Sequence, residues 1–450
     1  MDLSRALAGI GAALIACALL AVPAGLVPGA TSALRESIPP TRAAAELPVD
    51  GADRSWTPGD GGYPRHVTLH VYPDDPRDSA AQIGLVSYAK IASRLNALQA
   101  VSDRVSAEVV GRSVQGRDLY LVTVTAPETA AETARQGRWR TQIEDDPDAA
   151  ERDTALTRGY KAPIWINANI HGDEPEGTDG ALRVIERLAT AADKTTAALL
   201  RRTRLYLTVT GNPDGRVAGT RENADGTDLN RDHVTDTEPE TRAVRDVVIG
   251  TQPVTMLDEH GYLGETMVEP VRAPDGSDHA MLAAVEKLGL AARIDEPVRD
   301  GILAPMYADL QGSSGHIVNL PNPDDPDLPA AERCSRAQVN VDVAAATIEA
   351  FIGYADRHRT ALIEAQIARF REGWAGLPAM DGIPRAYLIP AQETRLVAHL
   401  IAHDIRMTRE GGHFLLDMHQ PKRGLASALI ETGRTPDGRV WGAEVISSDP

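Results

Sequence analysis

The chain of 450 residues carries 46 basic against 64 acidic side chains, a net charge of −18, with 42% apolar and 24% charged residues. That apolar content suffices for a full core plus a smaller second module and excludes a disordered protein. The acidic balance argues against nucleic acid or an anionic membrane surface as the main partner.

In chain order, Arg5 precedes an apolar run from about Ala6 to Val27. Residues 1–30 therefore read as an export signal, with cleavage after Ala24 and Val22 at the third position back. Two rivals stand beside it. The run approaches the length of a membrane span, which would make it an uncleaved anchor, and Leu14-Ile15-Ala16-Cys17 resembles a lipidation motif although apolar residues continue past Cys17. The expected location is secreted, or anchored at the outer membrane face. Cys17 would leave with the signal, so Cys334 is a lone thiol and no disulfide framework is expected.

Residues 31–84, rich in Pro, Gly and charge, read as a loosely structured lead-in. A domain over 85–372 follows. Ile91, Leu95 and Leu98 repeat at helical spacing, and Glu108 to Val124 reads as two strands joined by a Gly-containing turn. The polar stretch from Ala126 to Gly159 reads as a solvated surface excursion. Strand, helix and loop then alternate, which implies an α/β fold: a mixed, mostly parallel sheet with helices on both faces. A long helical stretch from about Ser335 to Arg371 closes the domain, and a small C-terminal α/β unit occupies 380–450.

Two apolar runs end in chemistry. Trp165 to Ile170 leads into His171-Gly172-Asp173-Glu174, and Val254 to Leu257 leads into Asp258-Glu259-His260-Gly261. Ligands in such sheets gather at strand C-termini. Two His and one Glu are a catalytic zinc donor set, three protein ligands with a fourth position left for water. The bland alternative makes His171 a loop histidine and Glu174 an acid favoured by a helix N-terminus. His233, His279 and His316 fit a metal less well and read as polar-loop residues.

Between these runs lie Asn212-Pro213-Asp214-Gly215 and the segment Thr220 to Asp232, TRENADGTDLNRD. With HGDE, NPDG and DEH in order, the chain over roughly 85–360 resembles the zinc carboxypeptidases related to carboxypeptidase A, of the secreted bacterial type with an accessory C-terminal segment. The resemblance implies one Zn2+ per chain held by His171, Glu174 and His260. Asp228 would orient His171 from behind. Arg221 would face the developing oxyanion, with Arg216 as the alternative if the register shifts. Asn230 and Arg231 would hold the substrate's terminal carboxylate, which makes an exopeptidase acting on peptide or protein C-termini or on peptidoglycan stem peptides. The rival for Arg231 is a surface ion pair with Asp232 or Glu259.

The family also has a general-base Glu downstream of the last ligand, with a Tyr nearby on a mobile loop. Tyr307 is the expected tyrosine, and the base position holds Asn319, whose amide cannot accept a proton. Glu265, Glu269 and Glu431 are the substitutes on offer. Two functions therefore remain open: a zinc metallocarboxypeptidase, and an impaired pseudopeptidase that binds peptide or cell-wall stem peptide. A non-metal hydrolase is disfavoured because there is no Gly-x-Ser-x-Gly elbow.

Overall fold

The computed structural model describes residues 54, 56–262, 264–272, 274–297, 301–321, 327–376, 383–431 and 443–446. The expected export signal and its rivals lie outside the described residues. So does the lead-in up to residue 53.

Eight strands build the main sheet: β1 (Val105–Arg112), β2 (Asp118–Val124), β3 (Ala162–Ala168), β4 (Thr203–Thr208), β5 (Thr255–Gly261), β6 (Thr266–Pro270), β7 (Ala292–Ile294) and β8 (Gly315–Leu320). They lie in the order β1-β2-β4-β3-β5-β8-β6-β7. The four central strands β4, β3, β5 and β8 run parallel, β1 and β2 meet their neighbours antiparallel, and β6 lies antiparallel to β8 and parallel to β7. The expected mixed sheet is present. β2 and β3 are buried at every position, the pattern of strands covered on both faces.

One face packs the helices Glu176–Thr190 and Ala330–Arg357 against Leu257, Val268, Val318 and Leu320. These helices approach closely at Gly180, where an added Cβ would lie 2.6 Å from the Ala344 Cβ. The other face packs Trp165, Met256 and Tyr307 with the helix Pro239–Thr251.

Three expectations need correction. The excursion at 126–159 is three helices, Ala130–Asp145, Pro147–Arg152 and Thr154–Gly159. Their starts are fixed by a Thr129/Glu132 capping box and by Asp146 and Asp153, and they bury Ile143, Ala150 and Leu156. The described part of the lead-in is packed, not loose: Trp56, Tyr63 and Leu69 are buried, and the Trp56 indole donates to Glu108 at 2.9 Å. The closing helix is two, Ala330–Arg357 and Arg359–Trp374, with a break at His358.

The C-terminal unit is a second sheet, β9 (Ala386–Pro390), β10 (Thr408–Glu410), β11 (His413–Asp417) and β12 (Glu444–Ile446), in the order β10-β11-β9-β12 and antiparallel throughout. Tyr387, Leu396, Leu400 and Phe414 of this unit share one apolar cluster with Trp165, Met256 and Tyr307.

Candidate metal centre

β3 delivers His171 through a turn that its own side chains shape. Asn169 adopts a left-handed conformation, and its Nδ2 donates to the His171 carbonyl at 2.7 Å and to those of Gly172 and Glu174 at 3.3 Å. Gly172 is required here because a Cβ would lie 2.1 Å from the Gly215 carbonyl carbon. The Asn212-Pro213-Asp214-Gly215 motif is thus the floor under the HGDE turn. Asn212 caps its short helix by accepting from the Gly215 N–H and donates to the Arg221 carbonyl at 3.2 Å.

His171, Glu174 and His260 are brought together, all three buried. His171 Nδ1 lies 3.0 Å from Glu174 Oε1, and His260 Nδ1 lies 3.1 Å from both His171 Nδ1 and Glu174 Oε2. Three donors from two elements face one common point. Spacings near 3 Å match the edges of a tetrahedron with ~2.0–2.1 Å bonds to zinc, so the donor set fits that ion.

The outer nitrogens also face carboxylates, His260 through a hydrogen bond and His171 at ion-pair distance only. Asp228 Oδ1 lies 3.3 Å from His171 Nε2, and Asp258 Oδ2 lies 2.8 Å from His260 Nε2. The first placement is the one expected for Asp228, which also caps the turn Leu229–Arg231 through the Asn230 N–H. Asp258 was missed. Its signal was present in the sequence, since residues two apart on a strand share a face and Asp258 precedes His260 by two.

Burial alone would raise the Glu174 carboxyl, but the two imidazoles hold it down at about 2. Burial would likewise push His260 down, yet Asp258 and Glu174 outweigh it and raise its pKa to about 10. For Asp228, the contacts with His171 and Arg221 overcome desolvation and hold it far below the ordinary carboxylate range.

Arg221 reaches the cluster: its guanidinium pairs with Asp228 at 2.9 Å and lies 3.1 Å from His171 Nδ1. Arg216, the alternative, is fully buried and donates to the Pro175 and Val86 carbonyls, so it is a structural strut. Asn230 is buried, with Nδ2 3.3 Å from His260 Nε2 and Oδ1 accepting from the Ala304 N–H. Arg231 is exposed, and among the described residues it makes no ion pair; Nη1 donates to the Asn230 carbonyl at 3.1 Å.

Tyr307 is not a loop residue. It lies in the helix Ala304–Leu310, fully buried, with its hydroxyl 2.8 Å from His403 Nδ1 and its ring stacked on His233. Burial in the apolar cluster shared with the C-terminal unit takes the ring out of reach of a substrate, which contradicts the expected catalytic role as a loop tyrosine. His233 and His316 are buried as well, the latter bonded to Asp278 at 2.7 Å, whereas His279 is exposed. Asn319 stands beside the cluster, paired in register with His260. Glu265 pairs with Arg293, and Glu431 with Tyr387 and Ser427 in the C-terminal unit, which removes both as substitutes for the base.

Residues 91–292 match the zinc carboxypeptidase family profile. A probable carboxypeptidase 2 of Arthroderma benhamiae is 29% identical over 140 residues, 31% of this chain and 26% of that protein. Its counterpart in Trichophyton verrucosum is 29% identical over 139 residues, with the same coverage. The match thus spans about a quarter of the length of these relatives. Among solved structures, a metallo-carboxypeptidase from Burkholderia cenocepacia aligns at 22% identity and a TM-score of 0.46, over 60% of this chain and 70% of that one. The matched segment, somewhat under half of the chain, holds the HGDE turn, the NPDG floor, Arg221 to Arg231 and His260, so over residues 91–292 the chain is similar to the zinc carboxypeptidases.

Proposed function

We propose that the protein is a zinc-dependent metallocarboxypeptidase that hydrolyses the C-terminal peptide bond of peptides or proteins. The observation that carries this reading is the convergence of His171 Nδ1, Glu174 and His260 Nδ1 on one point, with both outer nitrogens facing carboxylates. Zinc held there would supply a Lewis acid and a water of lowered pKa. Arg221, fixed by Asp228 beside that point, would donate to the scissile carbonyl oxygen as it gains charge. Arg231, exposed and without an ion pair among the described residues, would meet the substrate's terminal carboxylate, with Asn230 next to it. Export through residues 1–30 belongs to the same proposal, and cell-wall stem peptides then join ordinary peptides as substrates.

The test is purified protein loaded with zinc and offered matched peptides with free or amidated C-termini. Release of the last residue from the free acid alone, lost in chelator and weakened at least tenfold in Arg231→Ala, supports the reading. One zinc per chain with no turnover on a broad panel overturns it. A second reading, a peptide-binding pseudopeptidase, is favoured by one observation: the β8 position paired with His260 is an amide, Asn319. If it holds, Asn319→Glu turns hydrolysis on from nothing.

A further inference from the structure

Hydrolysis needs a proton acceptor beside the attacking water, and Asn319 cannot be one. The sheet brings another carboxylate to the same face, on the strand beyond Asn319. His260 on β5 pairs with Asn319 on β8, and Asn319 pairs in turn with Met267 on β6. Paired residues share a face, as do residues two apart on one strand, so His260, Asn319 and Glu269 project from the same side. The core confirms the alternation: Leu257, Val268, Val318 and Leu320, their out-of-phase neighbours, all enter the apolar cluster on the opposite face.

Asn319 Nδ2 donates to Glu269 Oε2 at 2.5 Å. The amide at the position next to the metal ligand therefore grips a carboxylate from the adjoining strand. Four neighbouring acids are otherwise engaged: Asp258 and Asp228 face the ligand imidazoles, Glu176 accepts from Tyr262, and Glu259 points to the other face and contacts Thr347; Asp173, in the turn between two ligands, is exposed. Desolvation raises the pKa of Glu269 and Asp295 adds to it, against Asn319, His260 and Arg293, which favour the charged form.

Resting on the carboxypeptidase reading, we propose that Glu269 is the general base of this site, a carboxylate moved one strand over, and that Asn319 is the residue that positions it. Glu269 takes a proton from water as the water oxygen bonds to the scissile carbonyl carbon. It returns that proton to the amide nitrogen as the C–N bond breaks, leaving a free amine, a new carboxylic acid that gives up its own proton to solvent, and Glu269 ionised again. Asn319 fixes the oxygen that faces it and leaves the other for the water.

The experiment compares zinc-loaded wild type, Glu269→Gln and Asn319→Ala on one peptide substrate across pH, with zinc content measured for each. Glu269→Gln is expected to keep one zinc per chain and an unchanged KM while kcat falls roughly 10²- to 10⁴-fold. The acid limb of the kcat/KM profile should disappear with it. Asn319→Ala should move that limb to higher pH, because the lost hydrogen bond favours the ionised carboxylate; a merely structural role would lower activity without moving the limb. Infrared difference spectra of the loaded protein should show a carboxyl band that titrates over the same pH range in wild type and is missing from Glu269→Gln. Wild-type turnover left within threefold by Glu269→Gln, zinc retained, overturns the assignment of Glu269 and spares the peptidase reading. Absence of turnover in wild type removes both.

Discussion

Zinc loading should release a proton and tighten with pH, and the size of the effect follows from His260. Without metal, Asp258 on one side and Glu174 on the other hold this buried imidazole as a cation, with a pKa of about 10. Zinc takes the nitrogen that carries the inner proton, so that proton must leave. Between pH 7 and 9, affinity should rise about tenfold per unit, about 100-fold in all, equivalent to about 2.7 kcal/mol. The sign follows from a raised pKa: His260 stabilises the metal-free fold fully below its ordinary 6.5, and this contribution is lost as pH climbs toward 10, the same window over which zinc gains. Titration calorimetry at pH 7.5 in two buffers of different ionisation enthalpy counts the protons directly. About one per zinc is expected, and Asp258→Asn should lower that count by weakening the hold on the imidazolium. A count near zero with flat affinity between pH 7 and 9 would refute the argument.

Three further outcomes follow from the same geometry. Gly172→Ala places a Cβ 2.1 Å from Gly215 backbone, so zinc affinity should fall at least tenfold and melting should show a loss of about 1–3 kcal/mol. Glu259 is buried beneath the helix Ala330–Arg357, and desolvation raises its pKa from 4.5 to about 8. The wild-type fold therefore loses stability as pH rises from 4.5 to about 8, and Glu259→Gln should gain a few kcal/mol at pH 8.5 but nothing at pH 4.5, read from denaturant midpoints. Trp56→Ala empties a site packed on the helix Pro239–Thr251 and breaks the bond to Glu108; a loss of about 3 kcal/mol by the same measurement shows that this segment belongs to the folded body.

The metal ligands could be read from the sequence because each ends an apolar run whose length and flanks mark a buried parallel strand, and strand ends are where such sheets put chemistry. Asp228 and Arg221 could be read only through the family motif. The helices over 130–159 escaped notice because their buried side chains are few, Ile143, Ala150 and Leu156, among many charges, so polarity masked good caps. Tyr307 was misread because nothing local tells an exposed loop tyrosine from one enclosed by a partner sheet 80 residues on, at Tyr387. The Asn319–Glu269 contact depends on the register of β6 against β8, 50 residues apart, which no short-range pattern encodes.

The shared cluster beneath Tyr307 has a practical side. Tyr387, Leu396, Leu400 and Phe414 belong to the same buried apolar cluster as Tyr307, Trp165 of β3 and Met256 of β5, the two strands whose ends present the donor atoms. A chain cut after Gly376 to isolate the domain that holds the donor cluster would lay part of that apolar cluster open to water. The tail is therefore better regarded as a buttress for the pocket than as a passenger, and trimming it should loosen the grip on the cation from behind.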